Sequence, residues 1–214
     1  MSRINKKEII ASLHRETILC AAEKIFYEKG FNATTIDDLS NAANYSRRTI
    51  YTYFKNKEDI LYNVILKGLK SLHGEITLIL QSNGEFISQY FEICLAMTNF
   101  QRQYPHSFDS VYNMKYSDIN FNELPKTIVD ILSIGTQINL LLENYLQSAQ
   151  QKGYIPSHLN PKQTVYILWA NLSSIITLAN NKGPFLCQDL NITVEQFLHD
   201  GFTQIINSIL VVRI

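Results

Sequence analysis

Two short helical runs near the amino terminus are separated by only two residues, Asn44 and Tyr45, and this spacing constrains the fold more than any other feature. Before the gap, Leu39 and Ala43 recur at helical spacing; after it, Ser46 is a residue type that caps helices. Asn tolerates the left-handed backbone conformation that so short a turn requires. Two short helices joined in this way cross at a steep angle, which predicts a helix-turn-helix.

Further helices are predicted on both sides of this pair. Apolar residues spaced by three and four predict a helix over residues 9–29, which Gly30 ends. Thr34 and Asp37 have the spacing of a capping box, which predicts the start of the second helix. A fourth helix is predicted over 57–73. The region therefore reads as a three-helix head followed by a linking helix.

The rest of the chain reads as longer helices separated by Gly, Pro and Asn turn signals, without an alternating strand pattern. One of these turns is predicted at "NKGP", 181–184. The fold class is therefore all-α, with a helix-turn-helix head over residues 1–56 and a larger helical body over 57–214, in which helix 57–73 links the two. The predicted body helices are 86–103, 107–116, 125–152, 160–181 and 193–211.

The zero net charge conceals two regions of opposite sign. Residues 1–70 carry four more basic than acidic side chains, and residues 71–214 carry four fewer. A basic head predicts a polyanionic partner such as DNA. Arg47 and Arg48 stand at the start of the third helix, where a guanidinium can donate two hydrogen bonds to guanine. A double Arg can also be an ordinary solvated surface, so the caps, the turn and the regional charge together favour the DNA interpretation.

The sequence also argues against several functional classes. Cys20, Cys94 and Cys187 lie far apart without nearby ligands, so no disulfide, metal site or cofactor is predicted. No apolar run reaches the about 20 residues that span a bilayer, and no secretory signal is visible, which predicts a cytoplasmic chain without a membrane partner. No catalytic constellation stands out, so an enzyme is not expected. The alternatives are an all-helical small-molecule-binding protein or enzyme with a helix-turn-helix-like head, and a scaffold whose head binds proteins.

The run from Gly30 to Leu61, "GFNATTIDDLSNAANYSRRTIYTYFKNKEDIL", resembles the DNA-binding signature of the TetR family of bacterial transcriptional regulators. With the preceding helix, the resemblance covers residues 10–65. It implies a ligand-responsive regulator, most often a repressor, that binds a double-stranded DNA operator. The DNA-binding residues implied by matching positions are Thr35, Ser46, Arg47, Arg48, Thr49, Tyr51, Tyr53 and Lys57.

These positions have different implied roles. Thr35, Tyr53 and Lys57 match positions that contact phosphate, whereas 46–49 match the groove-facing start of the third helix. Tyr51 can equally be packed inside the head. Arg48 departs from the family, since many relatives have glycine there, so the resemblance does not fix which operator is read.

Aromatic and isolated polar residues on the body helices suggest an effector site. A few polar groups among apolar walls are what a small-molecule site requires, although interhelical hydrogen bonds explain them equally well. The sparse charge of the body favours a small, largely apolar effector. The candidate effector-binding residues are Tyr90, Cys94, Phe108, Tyr112, Gln137, Tyr166, Trp169 and Asn171.

The last two predicted helices, 160–181 and 193–211, carry apolar residues on more than one face, so another surface is expected to cover them. The resemblance implies that they pair with their symmetry mates in a homodimer. Two heads would then meet a pseudo-palindromic operator with half-sites about one DNA turn, or a multiple of it, apart. Effector binding is expected to move the heads out of this spacing and so release the operator.

Overall fold

The computed structural model describes residues 6–113 and 124–212. Within these ranges the regular elements are α-helices, and none of them is long and apolar enough to cross a membrane. The prediction of an all-α chain with a helix-turn-helix head and a larger helical body is confirmed. The helices in chain order are α1 (Lys6–Lys29), α2 (Ile36–Ala43), α3 (Arg47–Tyr53), α4 (Lys57–Gln81), α5 (Phe86–Gln103), α6 (Pro105–Asn113), α7 (Lys126–Gln151), α8 (Pro161–Leu190) and α9 (Val194–Asn207).

The helices form two compact units. The first contains the described residues up to Lys70 together with 101–113 and 124–134, and the second contains 71–100 and 135–212. α4, α5 and α7 each contribute residues to both units. The helix-turn-helix therefore shares a unit with α6, while α8 and α9 lie wholly in the other unit.

The core of the first unit fixes α3 by its inner face. Ile18 of α1, Leu39 of α2 and Ile50 of α3 are fully buried in one cluster with Phe54. Truncating a buried side chain of this size costs about 2–5 kcal/mol, because a cavity takes the place of the packed side-chain atoms. α3 is therefore held firmly while its opposite face remains accessible.

α2 begins one residue later than predicted. The capping box expected at Thr34 and Asp37 is wrong, because the N-cap is Thr35, whose hydroxyl accepts the Asp38 N–H at 3.2 Å. In return, the Asp38 carboxylate accepts the Thr35 N–H at 2.9 Å. Thr34 is buried and donates its hydroxyl to the Gly30 carbonyl at 2.8 Å. This shift leaves Asp37 out of the cap, with an exposed side chain.

Other helix ends also differ from the predictions. α4 continues to Gln81 instead of ending near residue 73. A glycine inside a helix costs about 1 kcal/mol at Gly74, but the burial of Leu72 and Ile76 on either side outweighs this cost. α6 begins at Pro105 where 107 was predicted, and its predicted end at 116 lies outside the described residues. α9 ends at 207 where 211 was predicted.

The predicted break at 181–184 is wrong. α8 continues with Pro184 inside it and stops at Asn191, which adopts the left-handed conformation with φ 53°. Close packing against α9 offsets the helix-breaking tendency of proline: Gly183 is buried, and a Cβ there would lie 3.1 Å from Val194 Cγ2. Tertiary packing thus extends the helix beyond the local stop signal.

Candidate nucleic-acid interface and body cavity

The turn between α2 and α3 has the geometry that the sequence predicts. Asn44 is left-handed, with φ 56° and ψ 42°, and the Tyr45 N–H donates to the Ser40 carbonyl at 2.9 Å. Ser46 then caps α3, because its hydroxyl accepts the Thr49 N–H at 3.1 Å. The capped end leaves the first residues of α3 at the surface.

The start of α3 presents an exposed, basic edge. Ser46, Arg47 and Arg48 are exposed, and Thr49 is half-buried. Tyr51 is 54% exposed, so the alternative that it packs inside the head is wrong. In a helix-turn-helix protein these first residues of the second helix are the ones that reach base edges in the major groove.

The two arginines at this edge have different surroundings. Arg47 donates through Nε and Nη2 to the two carboxylate oxygens of Asp37, in the first turn of α2. The hydrogen bond that Arg47 donates to Asp37 raises the pKa of the Arg47 guanidinium. The Arg48 guanidinium makes no hydrogen bond or ion pair with any residue that the structure describes. Arg47 is therefore fixed in place, whereas Arg48 is free to move.

The acidic start of α2 is neutralised by cations. Lys29 Nζ lies 2.6 Å from Asp38 Oδ1, and this hydrogen bond lowers the pKa of Asp38 to about 2. Asp37, in the same turn of α2 as Asp38, is paired with Arg47 of α3. A polyanion approaching this surface therefore meets paired carboxylates, together with the helix amino terminus and its positive dipole.

The residues matched to phosphate contacts are placed differently from one another. Thr35 is exposed at the amino terminus of α2, and Tyr53 is half-buried. Lys57 Nζ donates to the carbonyls of Phe31 and Thr34, both at 2.8 Å, and lies 4.4 Å above the Phe31 ring. Lys57 therefore ties the connection between α1 and α2 to α4, and it must exchange some of these contacts to meet a phosphate.

Sequence reasoning missed a buried carboxylate in the first unit. Glu23 of α1 is 8% exposed, and its Oε1 accepts the N–H groups of His106 at 2.9 Å and Ser107 at 3.2 Å. Its Oε2 accepts the Ser107 hydroxyl at 2.8 Å. Burial raises the pKa of Glu23 despite these hydrogen bonds. Glu23 thus caps α6 from α1, across a sequence separation of 83 residues that carries no local signal.

The second unit contains an apolar cavity of about 30 Å³ lined from α5, α7 and α8. Tyr90 and Trp169, two of the predicted effector-binding residues, are in its lining. The Tyr90 hydroxyl donates to the Phe202 carbonyl at 2.9 Å, and Trp169 Nε1 donates to Asn139 Oδ1 at 3.0 Å. Because these polar atoms already have protein partners, the cavity is lined by carbon.

The other predicted effector-binding residues do not line this cavity. Cys94 is buried nearby in α5, where burial raises its pKa to about 12. Phe108 belongs to the first unit, and the Tyr112 side chain lies outside the described residues. The predicted residues with exposed side chains are Gln137, Tyr166 and Asn171.

A short helix that is buried on one face, capped after a left-handed turn and basic at its exposed start defines a helix-turn-helix protein. Comparison with known families agrees. The family described as bacterial regulatory proteins, tetR family, matches residues 18–64. Residues 18–64, which hold the helix-turn-helix, are thus similar to the DNA-binding region of this family.

Two curated relatives come from Bacillus subtilis strain 168, and both are named uncharacterized HTH-type transcriptional regulators. YhgD is 41% identical over 64 residues, which are 28% of this chain and 34% of YhgD. YvkB is 29% identical over 142 residues, which are 64% of this chain and 68% of YvkB. The chain thus matches about a third of the length of YhgD and about two thirds of YvkB. Both names describe regulators and not enzymes, in agreement with the prediction.

Solved structures share the whole fold. The regulator FadR from Bacillus subtilis, in complex with stearoyl-CoA, superposes with a TM-score of 0.67 at 16% identity, covering 91% of this chain and 98% of FadR. At this identity the likeness establishes the arrangement of helices and not the ligand.

Proposed function

We propose that this chain is a dimeric transcriptional repressor that a small, largely apolar effector releases from a pseudo-palindromic DNA operator. Residues 1–56 would bind DNA, and 57–214 would bind the effector and form the dimer. The observation that carries the proposal is the exposed basic edge over 46–49, set on a helix whose inner face is buried. The proposed DNA-contacting residues remain Thr35, Ser46, Arg47, Arg48, Thr49, Tyr51, Tyr53 and Lys57.

Fluorescence anisotropy on a duplex selected by the full chain tests DNA binding. Removing both guanidinium groups with Arg47→Ala and Arg48→Ala should abolish the preference for that duplex. It should also reduce the slope of log affinity against log salt by about 0.9 for each phosphate that an arginine no longer neutralises. Lys24→Ala is the matched control, because it removes an exposed cation of α1 outside the helix-turn-helix. An unchanged sequence preference in the double variant would contradict base readout by α3.

For the effector, we propose the cavity between α5, α7 and α8 as the site of its apolar part. The lining carries no charged residue, and its tyrosine and tryptophan polar atoms are engaged elsewhere. Ligand sites measure about 300–1,000 Å³, so a cavity of about 30 Å³ must open before an effector fits. Binding would therefore select a different body state, and α4, which has residues in both units, would carry the change.

Trp169 makes this proposal directly measurable, because it is the only tryptophan in the chain and lines the cavity. Titration with acyl thioesters of increasing chain length, of which stearoyl-CoA is one, should change Trp169 fluorescence and weaken operator affinity at the same ligand concentrations. A fluorescence change without loss of operator affinity would contradict the coupling. Trp169→Phe is the control for optical artefacts.

We further propose that α8 and α9 form the dimer interface. A groove of about 570 Å³ between them is lined largely by apolar side chains, including Leu178 and Phe197. Phe185 of α8 is 61% exposed and adds to the apolar surface of this helix. Large contiguous apolar patches on a soluble protein commonly mark interaction sites. A second copy covers such a self-complementary face by two-fold symmetry.

Sedimentation velocity over a range of concentrations tests the interface. Leu178→Arg should shift the chain towards monomer, whereas Leu140→Arg, at an exposed position of α7 outside the groove, should not. Equal dimerisation of the two variants would place the interface elsewhere.

A further inference from the structure

Asp37 occupies some of the N–H donors of Arg47 and leaves a defined pair of them for another partner. An arginine has five N–H donors in a rigid plane, and four of them form a side-on pair and an end-on pair. Asp37 occupies the side-on pair, formed by Nε–H and one Nη2–H. The end-on pair, one N–H on Nη1 and one on Nη2, points away from the carboxylate and stays available. This pair matches the spacing of guanine O6 and N7.

The position of this ion pair suits major-groove readout. It joins the first turn of α2 to the first turn of α3, so it bridges the two helices of the helix-turn-helix. Both side chains are more than half exposed, and the pair lies on the edge formed by 46–49. Arg48, the next residue of α3, has no partner among the described residues that would hold its guanidinium.

We propose that Asp37 is a positioning residue that preorganises Arg47 to read a guanine in each operator half-site, while Arg48 serves phosphate or adaptable contacts. The inference rests on the proposed DNA-binding function and deepens it. Holding the guanidinium in advance reduces the side-chain entropy lost on binding, and it orients both donors along one base edge. An isolated carboxylate on this surface would only repel DNA, so its pairing with Arg47 also explains why an acid is tolerated there.

The experiment measures affinity and discrimination separately. The full chain first selects its preferred duplex from a random pool, and each base pair of that duplex is then replaced. In the wild type, replacing one G·C pair in each half-site should lower affinity about ten-fold or more. Arg47→Ala should lose this discrimination. Asp37→Ala should reduce it to within about two-fold, although its affinity for unrelated duplexes should be unchanged or tighter, because a negative charge has left the surface.

This opposite response separates positioning from simple electrostatics. The double variant, Asp37→Ala with Arg47→Ala, should show the same guanine discrimination as Arg47→Ala alone. Removing Asp37 has no further effect once Arg47 is absent, because the two residues act as one unit. Glu58→Ala, which removes another exposed acid of the first unit, is the matched control and should leave guanine discrimination intact. Asp37→Asn keeps the side-chain shape and serves as a second variant.

Two results would overturn the inference while leaving the proposed function standing. Full guanine discrimination in Asp37→Ala would show that Asp37 does not position Arg47. Guanine discrimination that disappears in Arg48→Ala but survives in Arg47→Ala would show that Arg48, and not Arg47, reads the base. If the wild-type chain enriches no duplex at all, the proposed function fails and this inference fails with it.

Discussion

The buried Glu23 allows the sharpest stability prediction. Glu23→Ala removes the acceptor of the His106 and Ser107 N–H groups. The Ser107 hydroxyl keeps a partner, because the Val64 carbonyl lies 3.3 Å from its oxygen. Two donors are thus left unsatisfied, at about 1–3 kcal/mol each, and the relief of a buried charge offsets part of this cost. We expect a loss of about 2–4 kcal/mol in the free energy of unfolding.

Glu23→Gln separates the hydrogen bonds from the charge. Its amide oxygen can accept the same two N–H groups, and its NH₂ can donate to Ser107 Oγ, whose hydroxyl then donates to Val64. Every polar atom stays paired, so at neutral pH this variant should lie within about 1 kcal/mol of the wild type.

The pH dependence follows from the direction of the pKa shift. Burial raises the pKa of Glu23 above its ordinary value of 4.5, so the folded state takes up the proton more readily than the unfolded state. The stabilisation from protonation is complete below pH 4.5 and is lost as the pH rises through the folded-state pKa. Relative to Glu23→Gln, the wild type should therefore gain stability as the pH is lowered towards 4.5.

Urea unfolding followed by far-UV circular dichroism, at a series of pH values, measures both effects. Comparing each variant with the wild type at the same pH cancels the titration of other carboxylates. The reasoning is refuted if Glu23→Ala is as stable as the wild type at neutral pH, or if the difference between the wild type and Glu23→Gln does not change with pH.

Three further perturbations test the local arguments. Asn44→Ala should lower the free energy of unfolding by about 1 kcal/mol, seen as a lower thermal midpoint, because alanine resists the left-handed conformation. Asn44→Gly should leave the thermal midpoint unchanged. Because the hydrogen bond from Lys29 lowers the pKa of Asp38 from 3.8 to about 2, its stabilisation is present above pH 3.8 and lost as the pH falls to 2; acid titration of Asp38→Asn should lack this component. A Cβ at Gly201 would lie 1.8 Å from Ile175 Cδ1, so Gly201→Ala should lower the urea midpoint, and adding Ile175→Val should restore part of it.

The head was largely predictable because its signals are local. The left-handed turn at Asn44 and the cap at Ser46 depend on residues close in sequence, and the structure confirms both. The capping box was displaced by one residue because two adjacent threonines offer similar caps, and burial of Thr34 decides between them.

The rest depends on contacts distant in sequence. Pro184 reads as a stop, yet packing between α8 and α9 carries the helix past it. Trp169, a candidate effector-binding residue, donates instead to Asn139, which lies 30 residues away along the chain. The pairing of Arg47 with Asp37 depends on how α2 and α3 cross, which composition and periodicity do not specify. The residues lining the effector site and the dimer interface therefore remain predictions.

Selection from a random pool of duplexes by the full-length chain tests the central claim most directly. The expected result is a pseudo-palindromic duplex with two half-sites about one helical turn, or a multiple of it, apart, bound with an affinity that falls steeply as salt is raised. Enrichment of no duplex above the input pool, with no salt-sensitive binding, would contradict the assignment of the α3 edge as a DNA-reading surface.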